Sequence, residues 1–154
     1  MTRHRTDLYL DDFKPGDRFE GRGYTFTDSE IIDFALRYDP QPIHIDIEAA
    51  KEGPFGGLIA SGFQTMAIVF RLIYQTGWFS SASLGGPGMD NLRWHKPVRP
   101  GDTLRAFAEV KEVRPSKSKP DRGLLIYELS AVNQKGETIM TATLMSFLKR
   151  SRAS

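Results

Sequence analysis

Tyr38-Asp39-Pro40-Gln41-Pro42-Ile43-His44 and, after a glycine-rich approach, Ser61-Gly62-Phe63-Gln64-Thr65-Met66-Ala67-Ile68-Val69-Phe70-Arg71-Leu72-Ile73-Tyr74-Gln75 hold a carboxylate, an imidazole and the longest apolar segment of the 154-residue chain. The first segment cannot be helical throughout, because each proline pushes its predecessor toward extended geometry and removes an amide donor. It is therefore stiff. Ser61-Gly62-Phe63-Gln64 has the form of a capping box, with Gln64 placed to reach back to the cap. From Phe63 to Tyr74 apolar side chains cover nearly every face of the helix that follows, and a helix apolar all round is buried. The rest of the chain then reads as a sheet wrapped around it.

Working outward, Thr27-Asp28-Ser29-Glu30 is a second capping box, with Phe26 and Ile31 placed as a hydrophobic staple. Ile31, Phe34, Ala35 and Tyr38 follow at helical spacing, which predicts a helix over Asp28–Tyr38 that Pro40 stops. Asp46 can cap a short helix through Ala50, and residues 53–57 form a glycine-rich loop. Before this region, Arg18 to Phe26 reads as a strand interrupted at Gly21 and Gly23. Ser80 to Asp90 reads as a loop. Beyond it lie four strand candidates: Asn91–Lys96; a run through Leu104, Ala106, Ala108 and Val110 with period two; Leu124–Val132; and Glu137–Leu148. The last two are joined across Asn133-Gln134-Lys135-Gly136. The sum is five strands, mostly antiparallel, around one buried helix, an α+β arrangement.

A chain of this length suits one domain, and such a domain buries roughly 70% of its unfolded surface. We expect that domain over residues 13–150, preceded by a flexible arm over residues 1–12. Hydrophobic residues at 40% and charged residues at 26% favour neither disorder nor a membrane class. Twenty-one Lys and Arg against 19 Asp and Glu leave a formal charge of +2, spread over turns and both tails, so no nucleic-acid partner is expected. The absence of Cys excludes disulfides, zinc–thiolate sites and thiol nucleophiles. Met1 to Asp7 is polar with no apolar region after it, so no signal peptide is expected. The apolar run Met66–Tyr74 contains Arg71 and is far below the ~20 residues that cross a bilayer. The expected compartment is the cytoplasm.

Asp39 and His44 are the main candidates for chemistry. A carboxylate and an imidazole held together by a proline-stiffened link are suited to orienting and deprotonating water. The alternative, that Asp39 ends a helix and His44 packs against the core, weighs about equally on the residues alone. Gly62 is the second candidate. The first amides of a helix lack internal acceptors and carry the positive end of its dipole, so an oxyanion forming there would meet donors already in place. A glycine that only permits tight packing explains the same residue. His4 and His95 read as non-catalytic. Gly21, Gly23, Gly85, Gly86 and Gly88 complete no dinucleotide fingerprint, three scattered His make a metal site unexpected, and Ser61 and Ser80 lack the context of a nucleophile elbow. Lys117, Lys119 and Arg122 read as a solvated loop.

Asp39-Pro40-Gln41-Pro42-Ile43-His44-Ile45-Asp46 and Pro54-Phe55-Gly56-Gly57-Leu58-Ile59-Ala60-Ser61-Gly62 closely resemble the MaoC-like dehydratase family, which includes the (R)-specific enoyl-CoA hydratases. Trp94-His95-Lys96-Pro97-Val98-Arg99-Pro100-Gly101-Asp102 is similar to that family's later strand and turn. The resemblance implies a hot-dog fold, a curved antiparallel sheet around a long central helix, assembled as a homodimer or an assembly of dimers. It implies Asp39 and His44 as the catalytic pair, Gly62 as the oxyanion donor with Ser61 and Gln41 beside the substrate, and an acyl-CoA thioester as substrate. No cofactor beyond that coenzyme is implied. Gln41 stands where these hydratases commonly have Asn, and Ser61 where they commonly have His. An acyl-CoA thioesterase of the same fold and a non-catalytic acyl-CoA-binding module are the rival readings. Many such thioesterases carry a carboxylate on or near the central helix, whereas Gly62 to Thr76 contains no Asp or Glu.

Overall fold

The computed structural model describes residues 5–152. Its first strands are short, β1 (Arg18–Glu20) and β2 (Tyr24–Thr25). Helix α1 (Asp28–Tyr38) begins where Thr27 Oγ1 accepts from the Glu30 amide at 3.3 Å, and it turns Ile31 and Ala35 inward. It stops before Pro40. Pro42 then opens the one-turn helix α2 (Pro42–Ile45), where a missing amide costs nothing. Asp46 Oδ1 accepts from the Ala49 amide at 3.0 Å and caps α3 (Ile47–Glu52). The central helix is α4 (Gly62–Tyr74). Four longer strands complete the chain: β3 (Gly88–Trp94), β4 (Thr103–Pro115), β5 (Arg122–Val132) and β6 (Thr138–Lys149).

These strands form one antiparallel sheet in the order β1-β4-β5-β6-β3, with β2 also on β4. Alternation sends Leu125, Tyr127, Leu129 and Ala131 of β5 to the helix side, where all are buried. Ala106 and Ala108 of β4 and Ala142 of β6 are buried too, and small side chains there leave room for α4, which returns Val69, Leu72 and Ile73 to the same core. The break between β1 and β2 has a physical cause. A methyl at Gly21 would sit 2.8 Å from the Leu72 carbonyl oxygen, so the helix backbone passes where a side chain would otherwise be. β3 forms the edge beside β6, and its register shifts between Asp90 and Arg93. Asn91 there has φ 54°, a left-handed residue of the kind that bulges an edge strand.

The α+β sheet wrapped on a helix is the arrangement read from the sequence, with four corrections. The first strand splits in two, so the sheet has six strands and not five. β3 begins at Gly88, inside the stretch read as a loop. Helix α4 is not buried on every side within one chain: Phe63, Phe70 and Tyr74 are exposed, Phe63 by 65%. This outer stripe borders an apolar groove of about 480 Å³ lined by Met66, Phe70, Leu92, Leu144 and Met145. Finally, the segment expected to be a flexible arm is packed from Leu8 onward. Leu8, Tyr9 and Leu10 are buried, and Leu10–Asp12 forms a 3-10 turn. Burying a leucine contributes about 2 kcal/mol, enough to hold a short segment whose amides also bond the turn after α4, Asp7 to Gly77 at 2.6 Å and Leu8 to Trp78 at 2.7 Å. Residues 1–4 of that expected arm lie outside the described residues. No helix among the described residues is long and apolar enough to cross a membrane.

Candidate active site

The end of α1 delivers Asp39 and α2 delivers His44, and the stiff Pro-Gln-Pro link sets the distance between them. Asp39 Oδ2 lies 3.3 Å from His44 Nε2. The other ring nitrogen, Nδ1, is 2.7 Å from the Ile59 carbonyl oxygen. A carbonyl only accepts, so Nδ1 carries the hydrogen, and in the neutral ring Nε2 keeps its lone pair toward Asp39. The Ile59 amide in turn donates to the Ile43 carbonyl at 3.1 Å. One residue of the strap before α4 thus grips α2 from both sides, and His44 is buried there.

Asp39 is held as tightly. Ser61 Oγ donates to its Oδ2 at 2.7 Å and Gln41 Nε2 to its Oδ1 at 2.7 Å. Burial would raise the carboxyl above its ordinary value, but those two hydrogen bonds, helped by the positive charge of the His44 ring when it is protonated, outweigh it, and the net shift is downward. Asp39 is therefore an anion whose two oxygens are both occupied on the protein side. Ser61 is fully buried and also caps α4, accepting from the Phe63 amide at 3.2 Å. The reciprocal half of the expected capping box is not made. Gln64 instead spans to α1 and donates to the Glu30 carbonyl at 3.3 Å. Glu30 also fails to reach back in the first box, because its carboxylate takes the Tyr24 hydroxyl.

Asp39, Gln41, His44, Gly62 and Trp94 share the wall of one cavity of about 390 Å³. Its remaining wall is mostly apolar, with Phe55, Ile59, Phe63 and Val98 among its members. Among the described residues the Gly62 amide has no acceptor, as expected for the first residue of a helix. The glycine itself is demanded by packing: a methyl there would lie 2.6 Å from Cζ2 of the Trp94 indole. Gly62 thus combines an amide without an acceptor among the described residues with a close approach of Trp94.

The structure brings Asp39, His44, Gly62, Ser61 and Gln41 into one site, with Ser61 and Gln41 hydrogen-bonded to Asp39. Trp94, His95 and Lys96 were not among the sequence candidates, yet all three line the cavity. The available signal was the Trp94-His95-Lys96-Pro97 segment, which ends a strand on the run toward a turn. His95, set aside from sequence, is exposed, with Nε2 2.8 Å from Thr141 Oγ1. Lys96 is paired with Glu137. His4 lies outside the described residues. Lys117 and Lys119 lie in the exposed turn before β5, and Arg122, the first residue of β5, pairs with its neighbour Asp121 at 3.0 Å.

Comparison with known proteins shows the family. The family described as MaoC like domain matches residues 12–129. A crystal structure of the MaoC-like dehydratase from Rhodospirillum rubrum superposes with a TM-score of 0.86 at 38% identity, covering 95% of this chain and 99% of that one. An uncharacterized protein of Bacillus subtilis, YdeM, is 36% identical over 93% of this chain and 100% of its own length. The 3-hydroxyacyl-thioester dehydratase Z of Mycobacterium tuberculosis is 39% identical over 56% of this chain and 58% of that protein. The six-stranded sheet on its helix is thus a hot-dog fold.

Proposed function

Because the chain belongs to the MaoC-like dehydratase family, we propose that it catalyses the reversible hydration of a trans-2-enoyl thioester, in the first instance a coenzyme A ester, to the 3-hydroxyacyl thioester. The observation that carries this reading is the 3.3 Å approach of Asp39 Oδ2 to His44 Nε2 on the wall of a cavity that Gly62 also lines. A water held between the carboxylate and the unprotonated Nε2 loses a proton to the pair as its oxygen attacks the β carbon. The electrons of the carbon–carbon double bond move to the thioester oxygen, where the Gly62 amide meets the developing charge. Collapse of that enolate takes the proton back at the α carbon, so no atom is left over. A lowered carboxyl keeps Asp39 ionised but makes it a weak base on its own, which is why the imidazole is needed beside it. Removing one oxyanion donor typically costs about 100- to 1,000-fold in rate.

The apolar stripe on α4 and the free edge of β3 support a second copy of this chain as partner. Phe63, Phe70 and Met66 border a groove that adjoins the edge strand, and a homodimer would cover both at once.

The test of the reaction is loss of enoyl-CoA absorbance over a panel of chain lengths, with Asp39→Asn and His44→Ala as controls. Turnover that falls by about 100-fold or more in both variants is the expected result. Unchanged rates in both would overturn the mechanism. Release of free thiol would support a thioesterase instead, and ligand-dependent thermal stabilisation without turnover would support a binding module.

A further inference from the structure

The Trp94 indole does more than close the cavity. Its Nε1–H donates to the Gly62 carbonyl oxygen at 3.2 Å. That carbonyl belongs to the peptide group whose N–H is the Phe63 amide, and the Phe63 amide donates to Ser61 Oγ at 3.2 Å. Ser61 Oγ then donates to Asp39 Oδ2 at 2.7 Å. Every link points the same way, donor to acceptor, from the edge strand β3 to the carboxylate. Such a chain polarises as a unit: each bond made at an acceptor makes the next donor more acidic. Packing enforces the geometry, because the indole lies where a methyl on Gly62 would be and has an edge-on contact with Phe63, ring centroids 6.3 Å apart. Ser61 is fully buried, so water does not substitute for it.

We propose that Trp94 is a positioning residue for Asp39, acting through the Gly62–Phe63 peptide and Ser61 to stabilise the carboxylate and hold its Oδ2 toward His44. The assignment rests on Asp39 being the acidic half of the reacting pair, but its first readout does not depend on activity. The ionisable neighbours of Asp39 are His44 at 3.3 Å and, on the wall of the same cavity, His95 and Lys96, the latter paired with Glu137. None of them is hydrogen-bonded to the Trp94 indole, whose partner among the described residues is the Gly62 carbonyl.

The experiment uses Trp94→Phe, which keeps an aromatic ring against Gly62 and removes only the indole N–H. Carbon-13 NMR of the Asp39 carboxyl should show its midpoint moved upward in the variant, in the same direction as in Ser61→Ala and by less. If the protein turns over enoyl thioesters, kcat should fall about two- to tenfold, the span of one neutral hydrogen bond, with KM little changed. In the unaltered protein the Trp94 indole proton should titrate with the Asp39 midpoint, while that of the distant, core-packed Trp78 stays flat. This second measurement needs no variant to fold. An Asp39 midpoint identical in Trp94→Phe, or a Trp94 resonance indifferent to the ionisation of Asp39, overturns the proposal whether or not the protein is a hydratase. Absence of turnover with a shifted midpoint would count against the proposed reaction and leave the relay standing.

Discussion

His44 offers Nε2 to Asp39 Oδ2 at 3.3 Å because its Nδ1 is already committed to the Ile59 carbonyl at 2.7 Å. One backbone acceptor therefore fixes both the orientation of the ring, with Nε2 toward Asp39, and the tautomer, with the hydrogen on Nδ1.

Asp39 should contribute to acid stability in a definite direction. Its carboxyl is lowered from the usual 3.8, burial opposing and the bonds from Gln41 and Ser61 winning. A depressed folded value means the contribution is complete above the unfolded value and is lost as pH falls through the folded one. Equilibrium unfolding of the parent and of Asp39→Asn should thus differ in pH dependence only below about pH 4. A difference that grows instead between pH 5 and 7 would contradict the assignment.

Gly62→Ala should collide with Trp94, since the added methyl would lie 2.6 Å from Cζ2. Overpacking of this kind costs about 1–3 kcal/mol. Trp94→Ala removes the obstacle, so in a double-mutant cycle the second substitution should recover most of the loss caused by the first. Urea unfolding of the four proteins measures it, and simple additivity would show that the ring had moved aside freely.

Ser61→Ala deletes the cap of α4 and the donor to Asp39 together. Losing an N-cap hydroxyl costs roughly 1 kcal/mol. The rate should fall further than the stability loss explains, because the carboxylate loses a buried partner. Thermal unfolding beside turnover separates the two effects.

The Tyr127 hydroxyl is enclosed in the core without a hydrogen-bond partner among the described residues. Burial pushes its phenol up to about 12, with Ser146 close enough to pull it back a little but not to satisfy it. Removing an unsatisfied polar group recovers its desolvation cost, so Tyr127→Phe should be neutral or stabilising in urea unfolding, in contrast to the loss usual for a core substitution.

Phe70→Asp tests the partner. Phe70 lies on the outer face of α4 and lines the apolar groove, away from the core cluster. Light scattering should give a dimer for the parent and a monomer for the variant with unchanged far-UV circular dichroism. A parent that stays monomeric at high micromolar concentration would remove the second copy from the proposed function.

Local chemistry made much of this legible. Thr27, Pro40, Pro42 and Asp46 set helix ends by capping and by missing amides, and the observed bounds of α1 follow from them. Period-two alternation through Leu104, Ala106, Ala108 and Val110 placed β4 on its sheet. Non-local features were less accessible. The packing of Leu8, Tyr9 and Leu10 depends on the turn after α4, and the exposed stripe of α4 depends on which side of the helix the sheet leaves uncovered. Trp94 belongs to the site only because β3 ends beside the first turn of α4, a relation between residues far apart in the chain. The capping role of Ser61 is local and legible, whereas its bond to Asp39, at the end of another helix, is not.

Ile59 clasps Ile43 with its amide and His44 with its carbonyl, and its neighbour Ala60 is tied to Val98 at 2.8 Å. His44 is therefore welded, through Ile59 and Ala60, to the backbone segment that also ties to Val98. Heat should destroy the site and the fold in a single transition, with inactivation and loss of circular dichroism superimposable and the Ile59 amide among the slowest to exchange with deuterium.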